Sequence, residues 1–413
     1  MSACAASWGW HSSSPMHPQV ARVMEMVVAD RRALHRIPEP AREERLTAAY
    51  LETALRDMGL APRCGVGGFG ILCDLESGGP GPHDPGASPL IALRADIDGI
   101  RVEERTGLPF ASTHPGLMHA CGHDGHMAIL LGAARLFAAN PPMHLRLRLI
   151  FQPAEEQHGG ARDMIRHGAL AGVDRIFGAH LWSWLPTGTV ASCDGAMMAQ
   201  TERVTIDITG RGGHAALPRG TADAVVTASL LVTALQTAVS RGVNPPAEPA
   251  ILTIGELHAG SAPNVIAASA RLNGTLRALS GEVMETLRAS IRRICAGIAA
   301  TTGATIEVTF ISGYPALVNH TAPFGQVCAA ATAVADFAQA VPVMAGEDFS
   351  YYLQQIPGCF FFVGAGDPAI PVEHRGHHHE PVFDLDERAL AVGVSMWHQL
   401  VRNLDYLRLS AMA

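Results

Sequence analysis

The octapeptide HACGHDGH, residues 119–126, sets three histidines, a cysteine and an aspartate in one short stretch. Thiolate and imidazole are the strongest protein ligands for zinc-like ions. Two residues apart on extended backbone, Cys121 and His123 face the same side, and Gly122 and Gly125 relax the chain around them. Asp124 and His126 are candidates to orient those ligands from behind. A second cluster, QPAEEQHGG, carries Glu155 and Glu156. Adjacent side chains on extended backbone diverge, so one carboxylate can bind a metal while its neighbour serves as general base. His180 closes the apolar run FGAHLW, where a polar side chain needs a partner. In GHHHEPVFDLDE, His377, His378 and His379 cannot all point inward, so at most one or two are ligands. Finally, GRGGHAALP puts His214 on a Gly-rich turn, from which it could polarise a carbonyl.

Donors so far apart in the chain need a frame that gathers them. Helical spacing covers 18–36 and 43–59, with Gly59 as the stop. GILCDLES and PLIALRAD read as strands flanking the Gly/Pro-rich loop 77–89. A helix over 126–139, a strand over 145–152 and a short strand RIFGAHLW follow. That alternation is an α/β sheet covered by helices, and a carboxylate pair just past a strand end sits where such sheets place their sites. From residue 202 the order becomes strand, helix (223–241), strand (249–256), strand (269–278), helix (281–300) and strand (304–311). This is the ferredoxin-like β-α-β-β-α-β unit. Helices near 321–338 and 347–355, the strand CFFFVGAG and a helix from 386 complete the host. The expected architecture is an α/β host (1–198 and 310–413) interrupted by a ferredoxin-like insertion (199–309).

Composition narrows the function. The chain has 413 residues, 48% of them apolar, and 38 acidic against 30 basic side chains give a net charge of −8. That balance argues against a nucleic-acid or anionic-membrane partner. Eight scattered cysteines without a CxxC pair suit a reducing cytosol. The N-terminal stretch lacks a basic segment followed by an apolar core, so it reads as no signal peptide. The apolar run after His126 is too short to span a bilayer. No P-loop and no G-x-S-x-G elbow occurs, and GVGGFG (65–70) has the wrong spacing for a dinucleotide fingerprint.

Taken together, LRADIDGI, MHACGHDGH, IFQPAEE, GAHLW, GRGGHAALP, APNVI with GTLR, GEDFSYYL and HEPVFDLDE resemble the M20 metallopeptidases. The resemblance is to their amidohydrolase branch of hippurate, auxin-conjugate and N-acyl-amino-acid hydrolases, and it runs from about residue 20 to 405. It implies a site for two divalent metal ions, zinc or manganese with cobalt or nickel as alternatives, held by Cys121, His123, Glu156, His180 and His379. It further implies Glu155 as general base and His214 as a histidine of the inserted lid that acts in its own chain or across a dimer. Asn264 and Arg277 would hold a substrate carboxylate, and Asp96 would orient a metal ligand. The implied reaction is hydrolysis of an N-acyl amino acid amide by a cytoplasmic homodimer or higher homo-oligomer. Three departures bear on the substrate: Gly99-Ile100-Arg101 after RADID, NVIAA, and Gln157-His158 after the glutamate pair. The rival readings are Cys121 as a thiol nucleophile, a non-catalytic metal-binding or carboxylate-binding protein, and an M20 hydrolase acting on a dipeptide or aryl amine.

Overall fold

The computed structural model describes residues 16–79, 88–157, 159–244 and 246–412. The N-terminal stretch 1–15, most of the 77–89 loop and His158 lie outside them. The chain begins with α1 (Pro18–His35), α2 (Arg45–Asp57), β1 (Arg63–Val66), β2 (Gly70–Leu75) and β3 (Leu90–Asp96). Next come α3 (His123–Ala139), β4 (Arg146–Gln152), α4 (Gly160–Arg166), β5 (Arg175–Pro186) and β6 (Thr189–Ser192). A middle stretch holds β7 (Gly195–Met198), β8 (Gln200–Thr209), β9 (Gly213–His214), α5 (Ala224–Leu235), α6 (Thr237–Ser240) and β10 (Ala250–Ala259). It continues through β11 (Val265–Ile266), β12 (Ser269–Ala278), α7 (Gly281–Thr302) and β13 (Thr305–Ser312). The last stretch holds β14 (Leu317–Asn319), α8 (Thr321–Val334), β15 (Asp336–Gln339), α9 (Ser350–Leu353), β16 (Gly358–Gly366) and α10 (Arg388–Met412).

These elements form two compact units. One takes the chain up to Gly195, Asn319–Val341 and everything from Tyr351 on; the other takes Ala196–Val318 and Pro342–Ser350. The first is built on a mixed eight-stranded sheet in the order β1-β2-β4-β3-β5-β16-β6-β15. Its strands β4, β3, β5 and β16 run parallel to one another. The chain passes from β3 through α3 to β4 on one side, then to β5 on the other, so the strand order reverses at β3. Sheets of this kind bind ligands beyond the C-terminal ends of the strands flanking such a reversal. Asp96 is paired with Gln152, and Arg94 with Gly178, so the ends of β3 and β4 and the middle of β5 are level there.

Helix α3 is apolar from Met127 to Phe137 except at Arg135, which pairs with Asp30, and it packs against α1, α10 and β3. Gly132 makes that possible. A Cβ there would lie 2.7 Å from Val27 Cγ2 and 2.9 Å from Val394 Cγ2, so the glycine lets both neighbours approach the α3 backbone. Among the described residues no helix is long and apolar enough to cross a membrane, and all seven described cysteines are free.

The second unit carries an antiparallel sheet in the order β10-β12-β8-β13, the ferredoxin-like arrangement. The alternation in ERVTIDIT sends Val204, Ile206 and Ile208 into a core with Leu231 and Leu235 of α5 and Leu287 and Ile291 of α7. The sequence reading places the insertion at 199–309; the compact unit also takes in Pro342–Ser350. Backbone hydrogen bonds hold that distant segment. Ala199 N donates to Ala345 O and Val343 N to Met197 O, both at 2.9 Å.

Three element expectations need correction. The helix expected to run to 338 ends at Val334, because Ala335 is extended and Asp336–Gln339 pairs in parallel with β6. The 223–241 helix divides at Gln236 into α5 and α6. Helix α3 begins at His123, three residues before its expected start.

Candidate metal centre

That earlier start changes the geometry of the C-G-H stretch. Gly122 caps α3 in the left-handed conformation (φ 85°), so Cys121 precedes the helix and His123 opens it. The backbone is therefore turned there, not extended. The positive end of the helix dipole favours a thiolate at Cys121. Glu155 and Glu156 likewise follow Ala154 in a left-handed turn (φ 57°), not on extended chain. His180 lies on β5, level with the end of β3. His379 arrives from the loop before α10, also left-handed (φ 67°), with its amide donating to Ala120 O at 2.8 Å. Non-glycine residues at positive φ cost about 1–3 kcal/mol and gather where the surroundings dictate them.

The structure brings these five donors together. Cys121, His123 and His180 offer ligand atoms within 4.8 Å of one another; so do Cys121, Glu156 and His379. Cys121 Sγ belongs to both groups. It lies 3.5 Å from His180 Nε2, and Glu156 Oε1 is 3.1 Å from His379 Nε2 and 3.8 Å from His123 Nε2. Glu155, His123 and Glu156 form a further group within the same limit.

The donors suit divalent cations. His123 Nδ1 is 2.8 Å from the carbonyl of Asp98, and His180 Nδ1 is 2.7 Å from that of Leu181. Each contact fixes a proton on Nδ1, so Nε2 is the atom each imidazole presents to the cluster. His123 Nε2 is buried with no hydrogen-bond partner among the described residues, an orphan that a metal would satisfy. Burial, with His126 and His378 nearby, holds His180 well below the ordinary imidazole value, so it stays neutral. At Cys121, burial first, then the charges of Glu156, Glu155 and Asp96, push the thiol well above its usual range. Burial works against a proton on His123, but Asp96, Asp98 and Glu156 outweigh it and raise the imidazole to about 10. A buried cluster with this many acidic groups favours cations.

A sequence profile of peptidase family M20/M25/M40 matches residues 92–403. The chain belongs to this family. It is 40% identical over 380 residues to the N-acetyl-L-cysteine deacetylase of Bacillus subtilis strain 168, covering 92% of this chain and 87% of that one. Over 375 residues it is 39% identical to an N-acetyldiaminopimelate deacetylase of Bacillus velezensis, covering 90% and 96%. Among solved structures, the Bacillus subtilis YXEP protein, described as a dinuclear metal binding peptidase from the M20 family, superposes with a TM-score of 0.80 at 30% identity. That match covers 93% of this chain and 98% of the YXEP chain.

Around this M20 site several expected roles shift. Asp124 does not face a ligand: its Oδ2 accepts from Arg31 Nε at 2.9 Å and lies 2.8 Å from His35 Nδ1. Asp96 bonds to Arg94 (2.7 Å) and to His126 Nδ1 (2.6 Å), and comes no nearer to His123 Nε2 than 3.7 Å. His126 Nε2 accepts from the amide of Leu181 at 2.8 Å, so this pair braces β5 beside His180. Asp98, absent from the expected set, is the hub. Its carbonyl fixes His123, and its carboxylate accepts from the amides of Glu155 (3.1 Å) and Glu156 (3.0 Å). The signal was in RADID, where Asp98 follows Asp96 by two. His377 and His378 serve as packing: His377 stacks on Trp184 at 4.3 Å, and His378 sits between Trp182 and Phe383.

The departures after RADID face away from the donors. Gly99 N donates to Glu39 O at 2.7 Å, and Arg101 pairs at the surface with Glu43. In the second unit, His214 and Asn264 line one cleft of about 620 Å³ together with the NVIAA stretch. Arg277 does not join them. It lies near the far end of β12, with its guanidinium donating to Met344 O at 2.7 Å. Eight residues of strand, roughly 25 Å, separate Arg277 from Ser269 at the cleft. Asn264 and Arg277 of one chain therefore cannot grip the same carboxylate.

Proposed function

We propose that this chain is a metal-dependent amidohydrolase that cleaves the amide of N-acyl amino acids. Two divalent metal ions would be held by Cys121, His123, His180, Glu156 and His379. The observation that carries this reading is the convergence of those donors from four chain segments, with the Cys121 thiol common to two groups and the Glu155 carboxylate beside them. When bound, such ions supply Lewis acidity and bring the pKa of a coordinated water toward neutrality.

The remaining work falls to the chain. Glu155 accepts the proton of the attacking water on a carboxylate oxygen and returns it to the leaving nitrogen. His214 donates to the carbonyl oxygen as it gains charge, an effect of about 3–4 kcal/mol in comparable sites. Arg277 and Asn264 recognise the substrate carboxylate through charge-assisted and amide hydrogen bonds. Their separation within one chain supports assembly of the site from two copies, in keeping with the exposed Val225, Val226 and Leu230 of α5. The names of the two deacetylases support an N-acyl amino acid as substrate. A second reading, cleavage of a peptide bond next to a free carboxylate, draws on the 35% identity over 382 residues to a thermostable carboxypeptidase of Saccharolobus solfataricus.

Release of free amine from a panel of N-acetyl, N-benzoyl, longer N-acyl amino acids and dipeptides tests the proposal. Glu155→Gln is expected to keep its metal and to lose about 10²–10⁴-fold in kcat. Undiminished turnover by that variant would remove Glu155 as base. Activity that survives exhaustive chelation would favour the thiol-nucleophile rival.

A further inference from the structure

Three successive amides in the turn that carries the glutamate pair are held by carboxylates from elsewhere in the chain. Ala154 N donates to Glu44 Oε1 at 2.8 Å, and Asp98 takes the amides of Glu155 and Glu156. Ala154 is the left-handed residue, and its conformation sets how the chain enters Glu155. Glu44 lies immediately before α2, yet its side chain makes no cap hydrogen bond to that helix. It is fully buried, and its Oε2 has no partner among the described residues. A leucine would fill this space without burying a carboxylate, so packing alone gives no reason for an acid here. What the acid supplies is an acceptor for backbone amides, those of its own turn (Glu44 and Arg42) and, across the fold, the one next to Glu155.

We propose that Glu44 is a positioning residue for Glu155. By binding the Ala154 amide it holds, with Asp98, the left-handed turn that aims the Glu155 carboxylate. This rests on the reading of Glu155 as general base. Glu44 touches neither the metal donors nor the reacting atoms, and Glu156 keeps anchors of its own, its amide on Asp98 and its carboxylate beside His379, so the loss of Glu44 acts on kcat and spares both KM and metal content.

Two mild substitutions separate reach from charge. Glu44→Gln keeps the acceptor at the same distance and removes the charge; Glu44→Asp keeps the charge and draws the acceptor back by about 1.5 Å, one carbon–carbon bond. On N-acetyl amino acids, Glu44→Gln is expected to stay within about threefold of the unsubstituted enzyme in kcat. Glu44→Asp is expected to fall about 10–100-fold, the range for small misplacements of reacting groups. In both, KM stays within about twofold and metal per chain is unchanged, with thermal melting as the check on folding. If Glu44→Asp equals or exceeds Glu44→Gln, if both are silent, or if metal is lost, the proposal is overturned. Glu155→Gln, assayed in parallel, tells the two failures apart. An inactive Glu155→Gln beside a silent Glu44→Asp refutes the Glu44 assignment alone. An active Glu155→Gln refutes the base and Glu44 with it.

Discussion

The Cys121 sulfur makes a quantitative prediction, because it belongs to both three-donor groups. Cys121→Ala takes one donor from each. His180→Ala touches only the Cys121–His123–His180 group, and His379→Ala only the Cys121–Glu156–His379 group. Elemental analysis after dialysis should therefore find about two metal ions per chain in the unsubstituted protein, one in each histidine variant and none in Cys121→Ala. Stability gives a second readout. A metal present at 100 times its Kd stabilises the folded chain by about 2.7 kcal/mol per site. Denaturant titrations with and without metal should then differ by about 5 kcal/mol for the unsubstituted protein. The difference should fall to about 2.7 kcal/mol for either histidine variant and to nothing for Cys121→Ala. A Cys121→Ala protein that holds as much metal as His379→Ala would show that the sulfur is not shared, and the two-group geometry would fail as a description of the loaded site.

Other perturbations follow from the same coordinates. Burial resists protonation of His35, but Asp124 and Glu104 outweigh it and raise the imidazole from 6.5 to about 9. The folded state thus holds this proton more tightly than the unfolded one. Up to about 3 kcal/mol of stability is present below pH 6.5 and lost as pH rises through 9, so urea titrations should show the decline in the unsubstituted protein and not in His35→Gln. Gly132→Ala gains about 1 kcal/mol of helix propensity but forces a Cβ onto Val27 and Val394 at a cost of about 1–3 kcal/mol. A lower melting point is expected, partly restored by Val27→Ala; a stabilised Gly132→Ala would contradict the packing of α3. His214→Ala should lower kcat with little change in KM, and an unchanged kcat would exclude it from catalysis.

The donors were legible in the sequence because their chemistry is unusual for the elements that carry them. Cys121 and His123 lie just before a run of apolar residues, the Glu155–Glu156 pair follows one and His180 ends one, and a polar group in such a place must have a use. The alternation in ERVTIDIT and the long amphipathic helices gave the ferredoxin-like order for the same reason: period reports burial. What orients the donors was not legible. The groups that fix the imidazole tautomers are the backbone carbonyls of Asp98 and Leu181, and every residue has a carbonyl. Asp124 was misjudged because proximity in sequence says nothing of direction once a helix begins: His123 and Asp124 are adjacent, about 100° apart around α3. The return of Pro342–Ser350 to the second unit rests largely on backbone pairing, which leaves little trace in side-chain pattern. Asp336–Gln339 was missed because four residues are too few to show a period.

The place of β16 in the sheet has a consequence during synthesis. It lies between β5 and β6, yet about 170 residues are translated after β5 before it appears. At ribosomal rates of about 5–20 residues per second, the long flank of β5 waits roughly 10–30 seconds for its neighbour. Throughout that interval the nascent polypeptide presents an unsatisfied, apolar ribbon edge bearing His180, the kind of surface on which chains stick to one another. Faster elongation or a shorter intervening stretch would narrow this window, and a chaperone that shields β5 would find its work finished once Gly358–Gly366 emerges.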